Sequence, residues 1–211
     1  MSLGSLTPGA QIDLFWGMFV QAAPGGDGTG FGMLLVNTLL AIFVGGLMVG
    51  RTPEYLGKKI GKHEMRWSTV VILSHPFAIL IPTAITFIFG LAQFAPAGLP
   101  SHQFTVVLYE FTSESANNGS AMGSLVDNTL FFNLAGTIVM AFGRYLPMLA
   151  MLAIGGSLAG QNPIPHGPGT IKTDSVTFTL FLILFITIVA GMLFLPVLVM
   201  GPFAQGPLGG G

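Results

Sequence analysis

The sequence predicts an all-α integral membrane protein made of two helix-pore-helix repeats plus a C-terminal transmembrane helix, with about four spans and two re-entrant half-helices. Three observations predict it. Only 7% of the 211 residues are charged while 52% are apolar, a balance that suits a lipid bilayer better than water. Four runs, 33–50, 67–90, 130–158 and 176–200, are long and apolar enough to cross about 30 Å of hydrocarbon. Two shorter apolar runs, 13–22 and 104–114, would reach only about 15 Å as helices, and each leads into a side-chain-poor loop.

In chain order, Thr7-Pro8 offers a cap and a first-turn proline to the half-helix 13–22, which the loop Pro24-Gly25-Gly26-Asp27-Gly28-Thr29-Gly30 follows. Residues 1–30 lack the basic start and uninterrupted apolar core of a signal peptide, so they are read as structure. After span 33–50, the loop 51–66 carries five of the seven Lys and Arg residues (Arg51, Lys58, Lys59, Lys62, Arg66) and is predicted cytoplasmic. Span 67–90 contains His75-Pro76 and Pro82, read as kinks rather than a ligand site. The segment 91–128 has no Lys or Arg, carries Glu110, Glu114 and Asp127, and is predicted outside; Pro100-Ser101 starts the half-helix within the re-entrant loop 101–120. Span 130–158 returns inside to the loop 159–175, and span 176–200 leads out again. The chain thus divides at 1–66, 67–158 and 159–211.

The order half-helix, Gly/Asn loop, span occurs twice. Val36-Asn37-Thr38-Leu39 recurs as Val126-Asp127-Asn128-Thr129-Leu130 with one insertion, and Gly50-Arg51 recurs as Gly143-Arg144, 93 positions later. Matching short motifs in matching topology argue for a duplicated parallel repeat. Gly46 to Gly50 and Gly156 to Gly160 have the small-xxx-small spacing read as helix packing. A net charge of -1 leaves no footprint for nucleic acid. The absence of cysteine excludes disulfides and thiol chemistry, and no hydrolytic or metal-ligand constellation emerges. Gly25 to Gly32 fits neither a dinucleotide fingerprint nor a P-loop.

Irregular backbone at membrane depth survives only where protein buries it or it lines a watery path. A dehydrated K+ ion needs several oxygen dipoles of moderate strength, which backbone carbonyls supply where the chain can adopt unusual conformations. Glycine and asparagine permit those conformations. The candidate ion-binding positions are therefore Gly25, Gly26, Asp27 and Gly28 in the first loop, and Ala116, Asn117, Asn118, Gly119 and Ser120 in the second. The ordinary alternative is a pair of connecting loops. Arg144 puts a charge inside a span, where it either faces the ion path and repels K+ beneath the filter, or bonds carbonyls freed around Pro147. The basic loop 51–66 is either a solvated topology signal or a docking surface for a cytoplasmic partner.

Gly50-Arg51-Thr52-Pro53-Glu54-Tyr55-Leu56-Gly57-Lys58-Lys59-Ile60 closely resembles a motif of the A subunit of the Kdp potassium pump. Tyr109 to Met122, Gly143-Arg144 and Ile154-Gly155-Gly156-Ser157-Leu158-Ala159 resemble further segments of that subunit in the same order. The resemblance implies a single-chain relative of potassium channels with four non-identical helix-pore-helix units, of which this chain would hold the third, without its first helix, and the fourth. It implies that Gly25 to Gly28 and Ala116 to Ser120 are filter positions and that Arg144 is the arginine below the filter. The transported ion would be K+, with no organic cofactor. The implied partners are an ATP-hydrolysing P-type subunit, small accessory subunits, the remaining N-terminal half of the A subunit and the lipid bilayer, in a bacterial or archaeal plasma membrane. Three arrangements would complete the ring: a longer parent chain, a second polypeptide, or two copies with twofold symmetry. Asp27 departs from the neutral residue expected in the third filter. A half-subunit of a Trk- or Ktr-like transporter and a non-conducting assembly subunit are the alternatives.

Overall fold

Because lipid offers no hydrogen bonds, a crossing segment must satisfy its polar groups internally. The computed structural model describes residues 2–3, 17, 26, 29–94, 103–163 and 172–204. Within them the short strand β1 (Ser2–Leu3) precedes the helices α1 (Gly30–Met48), α2 (Lys62–Ile88), the short α3 (Gln103–Ser115), α4 (Leu130–Ala159) and α5 (Val176–Ala204). All but α3 are long and apolar enough to cross a membrane, α5 over Val176–Leu193. The chain is thus an all-α membrane protein, as its composition predicts.

Hydroxyls in these helices are silenced locally: Thr38, Thr83, Thr86, Thr137 and Thr187 each donate to the carbonyl four residues back, at 2.7–2.8 Å. The outer faces carry exposed Leu47, Phe77, Ile81, Leu134, Ile138, Leu152 and Leu180. Such a surface is compatible with hydrocarbon and incompatible with water.

The helix ends explain where the sequence-based boundaries shift. Helix α1 stops at Met48 because Gly50 adopts φ +66°, letting the Arg51 amide donate to the Gly46 carbonyl at 2.8 Å. Gly90, at φ +61°, ends α2 in the same way, with the Leu91 amide donating to the Thr86 carbonyl at 2.9 Å. At its other end α2 begins at Lys62 rather than Trp67, since the Glu64 carboxylate accepts the Gly61 amide at 2.8 Å and caps the first turn. The preceding basic segment is a hairpin, β2 (Glu54–Tyr55) antiparallel to β3 (Lys58–Lys59), turned by Leu56 and Gly57 at φ 51° and 71°. Gly46 touches Pro53 and the Arg51 carbonyl of that hairpin segment, whereas Gly156 meets nothing within 4 Å. The small-xxx-small spacings therefore serve a cap and a hairpin, and they pack no helix pair among the described residues.

Helices α2 and α4 run unbroken through Pro76, Pro82 and Pro147. Together they enclose α3, whose Val106, Val107, Leu108, Tyr109 and Phe111 are the centre of a core completed by Ile79, Met122, Leu125, Phe132 and Val139. At the basic end a second cluster joins Leu39, Ile42, Ile60, Ile154 and Phe178. There the Glu64 carboxylate also accepts the hydroxyl of Ser157 at 2.5 Å and the side-chain amide of Gln161 at 3.3 Å, and the Lys58 ammonium donates to the Gln161 carbonyl. At the opposite end the Val126 amide donates to the Gln93 carbonyl at 2.8 Å. The short α3 is thus flanked by the two long helices α2 and α4.

Candidate ion-filter site

Helix α3 has 13 residues, far too few to span, and it is buried from Val106 to Ser113. The ring of Phe111 stacks on Phe132 of α4 at 5.5 Å and 16°. Its C-terminus is closed by the Asn117 amide donating to the Glu114 carbonyl and the Asn118 amide donating to the Ser113 carbonyl, both at 3.0 Å. That closure needs a left-handed residue, and Asn117 supplies it at φ 61°. Gly119 is left-handed again at φ 71°. Two such residues within three positions break the regular backbone where the sequence predicts a filter. Among the described residues the carbonyls of Ala116, Asn117 and Gly119 accept no hydrogen bond.

The loop is held from behind. The Ser120 hydroxyl lies 2.8 Å from both the Tyr109 hydroxyl and the Ser113 hydroxyl, and the Ser120 amide donates to Ser113 Oγ at 2.8 Å. The Asn117 side chain donates to the carbonyls of Ser115 and, on α4, Met140, at 3.2 and 3.3 Å. Beyond it, β4 (Ala121–Met122) pairs in parallel with β1, Ser2 opposite Ala121 and Leu3 opposite Met122. The Gly-Ser-Leu of Gly4-Ser5-Leu6 then matches Gly123-Ser124-Leu125, a repeat signal missed in reading the sequence.

Gly26 lies against the Asn118 side chain so closely that a Cβ would overlap it. Its carbonyl, however, accepts the amides of Thr29 and Gly30 at 3.2 and 2.7 Å and so starts α1. Both lone pairs are engaged, which corrects the expectation that Gly26 offers an ion a free carbonyl. Gly25, Asp27, Gly28 and, apart from Gly17, the half-helix 13–22 lie outside the described residues. Gly17 is helical, and a Cβ added there would lie 3.4 Å from the Tyr109 ring.

Arg144 is exposed, and among the described residues it has no hydrogen-bond or ion partner, so it does not bond the carbonyls around Pro147. It follows Gly143, where α4 touches the Ser115 carbonyl at the foot of the loop. Behind α3, a cavity of about 380 Å³ is lined by Glu110, Glu114, Asp127, Asn128, Asn133 and Thr137. Glu110 and Glu114, placed in the outside segment by the charge pattern, are one helical turn apart on α3. Their Oε2 atoms are buried without hydrogen-bond partners. Their i, i+4 spacing on a half-helix is the signal that finds them.

A half-length helix, buried between two spanning helices and ending in a left-handed Asn/Gly loop, is an arrangement with which membrane proteins can present backbone carbonyls to an ion. Residues 1–206 match the family described as KdpA, potassium-transporting ATPase A subunit. The chain belongs to that family, which removes the Trk/Ktr alternative. It is 43% identical over 202 residues to the potassium-transporting ATPase potassium-binding subunit of Geobacillus kaustophilus, covering 95% of this chain and 36% of that relative. A relative of the same description from Alicyclobacillus acidocaldarius is 46% identical over 181 residues, covering 86% of this chain and 32% of its own length. The chain spans about a third of the length of the curated relatives it matches.

Proposed function

We propose that this chain is part of the potassium-binding and translocating membrane subunit of an ATP-driven uptake pump. K+ is selected by backbone carbonyls of Ala116 to Ser120, and ATP is hydrolysed on a separate P-type subunit, with small accessory subunits completing the complex in a bacterial or archaeal plasma membrane. On this reading residues 67–158 are the fourth pore unit, 1–66 belong to the third, and 159–211 carry the cytoplasmic loop and last span. The observation that carries it is the loop after α3, where two left-handed residues, Asn117 and Gly119, follow directly on a buried half-length helix.

For the third unit, we propose that Gly26 is not an ion ligand. The support is the engaged Gly26 carbonyl. Gly26 then lies in the lead-in to α1, against the Asn118 side chain. Arg144, without a partner among the described residues, is assigned to the ion path below the filter, where its charge sets the exit route.

The test replaces the matching segment of the G. kaustophilus relative with this chain and asks whether the chimera supports growth of uptake-deficient cells at limiting K+. Growth that is lost with Gly119→Asp supports the filter. Growth that survives both Gly119→Asp and Asn118→Asp leaves the non-conducting assembly role.

A further inference from the structure

His75 lies on α2, 4% exposed, with its ring turned toward the end of α3. Its Nδ1 is 2.7 Å from the hydroxyl of Ser115, the last residue of α3. Its Nε2 has no hydrogen-bond partner among the described residues. Beside the ring is a void of about 10 Å³ lined otherwise by Pro76, Ile79, Leu80, Leu108, Leu193 and Val197. Such a void holds one water at most, and its walls give that water nothing to bond except the ring. A buried N–H without an acceptor is rarer and costlier than a bare lone pair, so the proton sits on Nδ1 and is donated to Ser115 Oγ.

Ser115 is therefore gripped from two helices. Its hydroxyl is held by His75 of α2, while its carbonyl rests on Gly143 of α4 and accepts the Asn117 side-chain amide at 3.2 Å. The next residue is Ala116, the first of the loop proposed to bind K+. A carbonyl site separates K+ from Na+ only while its oxygens keep their spacing and field, and sub-ångström positioning depends on the shell of residues behind the ligands.

We propose that His75 is a positioning residue for ion selection: its hydrogen bond to Ser115 fixes the pore-helix terminus and thereby the spacing of the carbonyls that follow. The proposal rests on the reading of Ala116 to Ser120 as a filter and adds a determinant outside it. Leu at 75 fills the space without a donor. Asn at 75 keeps an N–H near the place of Nδ1.

The experiment uses the G. kaustophilus chimera in uptake-deficient cells and measures inhibition of K+ uptake by added Na+, alongside membrane abundance. His75→Leu is expected to weaken K+ over Na+ discrimination roughly fivefold, the scale of one lost buried hydrogen bond, at near-normal abundance. His75→Asn recovers most of it. Ser115→Ala reproduces the Leu defect, and the double variant is no worse than either single. Native discrimination in His75→Leu, or additive defects in the double variant, overturns the proposal. Where His75→Leu fails to accumulate, Ser115→Ala decides alone, because it removes one oxygen and native discrimination there is equally fatal. Gly119→Ala separates the two readings: its added carbon meets nothing within 4 Å, so a changed discrimination there with none at His75 sinks only this proposal. Unchanged discrimination in Gly119→Ala as well sinks the filter reading itself.

Discussion

Gly143 packs so tightly under Ser115 that a side-chain carbon at 143 would overlap the Ser115 carbonyl oxygen and stand 2.9 Å from its Cα. The obstructing atoms are backbone, at the end of a buried helix, and cannot rotate away. Gly143→Ala is expected to cost about 2 kcal/mol or more and to abolish uptake by lifting the loop from α4. Gly155→Ala on the same helix, where the new carbon meets nothing within 4 Å, should be neutral or slightly stabilising. Thermal melts of the two chimeras in detergent check the difference in sign.

Asn117 performs two separable tasks. Its backbone is left-handed, and its side chain ties Ser115 to Met140. Asn117→Gly keeps the first and loses the second, whereas Asn117→Ala loses the second and adds about 1 kcal/mol of left-handed strain. Stability should fall in the order Asn, Gly, Ala. A Gly variant less stable than Ala would contradict the helix-closing role.

At the basic end, Glu64 accepts from Gly61, Ser157 and Gln161 and so joins α2 to α4. Glu64→Ala leaves three donors without their acceptor and is expected to cost about 2–3 kcal/mol, against about 1 for Ser157→Ala. Limited proteolysis should show earlier cutting between β3 and α2 in the Glu64 variant. Equal cutting in both would mean that Ser157 carries the joint by itself.

Arg144 makes no bond within the described chain, so Arg144→Gln should leave the melting temperature of the chimera unchanged. If Arg144 faces the ion path as proposed, uptake rate and ion preference should shift, because a fixed positive charge is removed from that path. A lower melting point with normal transport would return Arg144 to a structural role.

Much of this was legible in the sequence because lipid constrains helices so severely. Four spans and a half-length helix follow from run lengths alone, and the Asn/Gly loop from which residue types tolerate left-handed backbone. The hairpin over 54–59 gives no signal beyond a loop in the sequence, because its strands are two residues each, below any periodicity. Gly26 misled because glycine marks both an ion-lining carbonyl and a helix start, and only its hydrogen bonds distinguish them. His75 was read with its proline as a kink. Its partner Ser115 is 40 positions away, a pairing that no local pattern announces.

The brevity of α3 also governs how the protein is made. At about 20 Å, with Glu110 and Glu114 among its residues, α3 cannot partition into lipid alone as it emerges during synthesis. It has to wait at the membrane surface until α4 has been translated and has joined α2. The loop that ends α3 is therefore assembled after the helices that flank it, and a ribosome halted before α4 would leave α2 inserted and α3 open to protease.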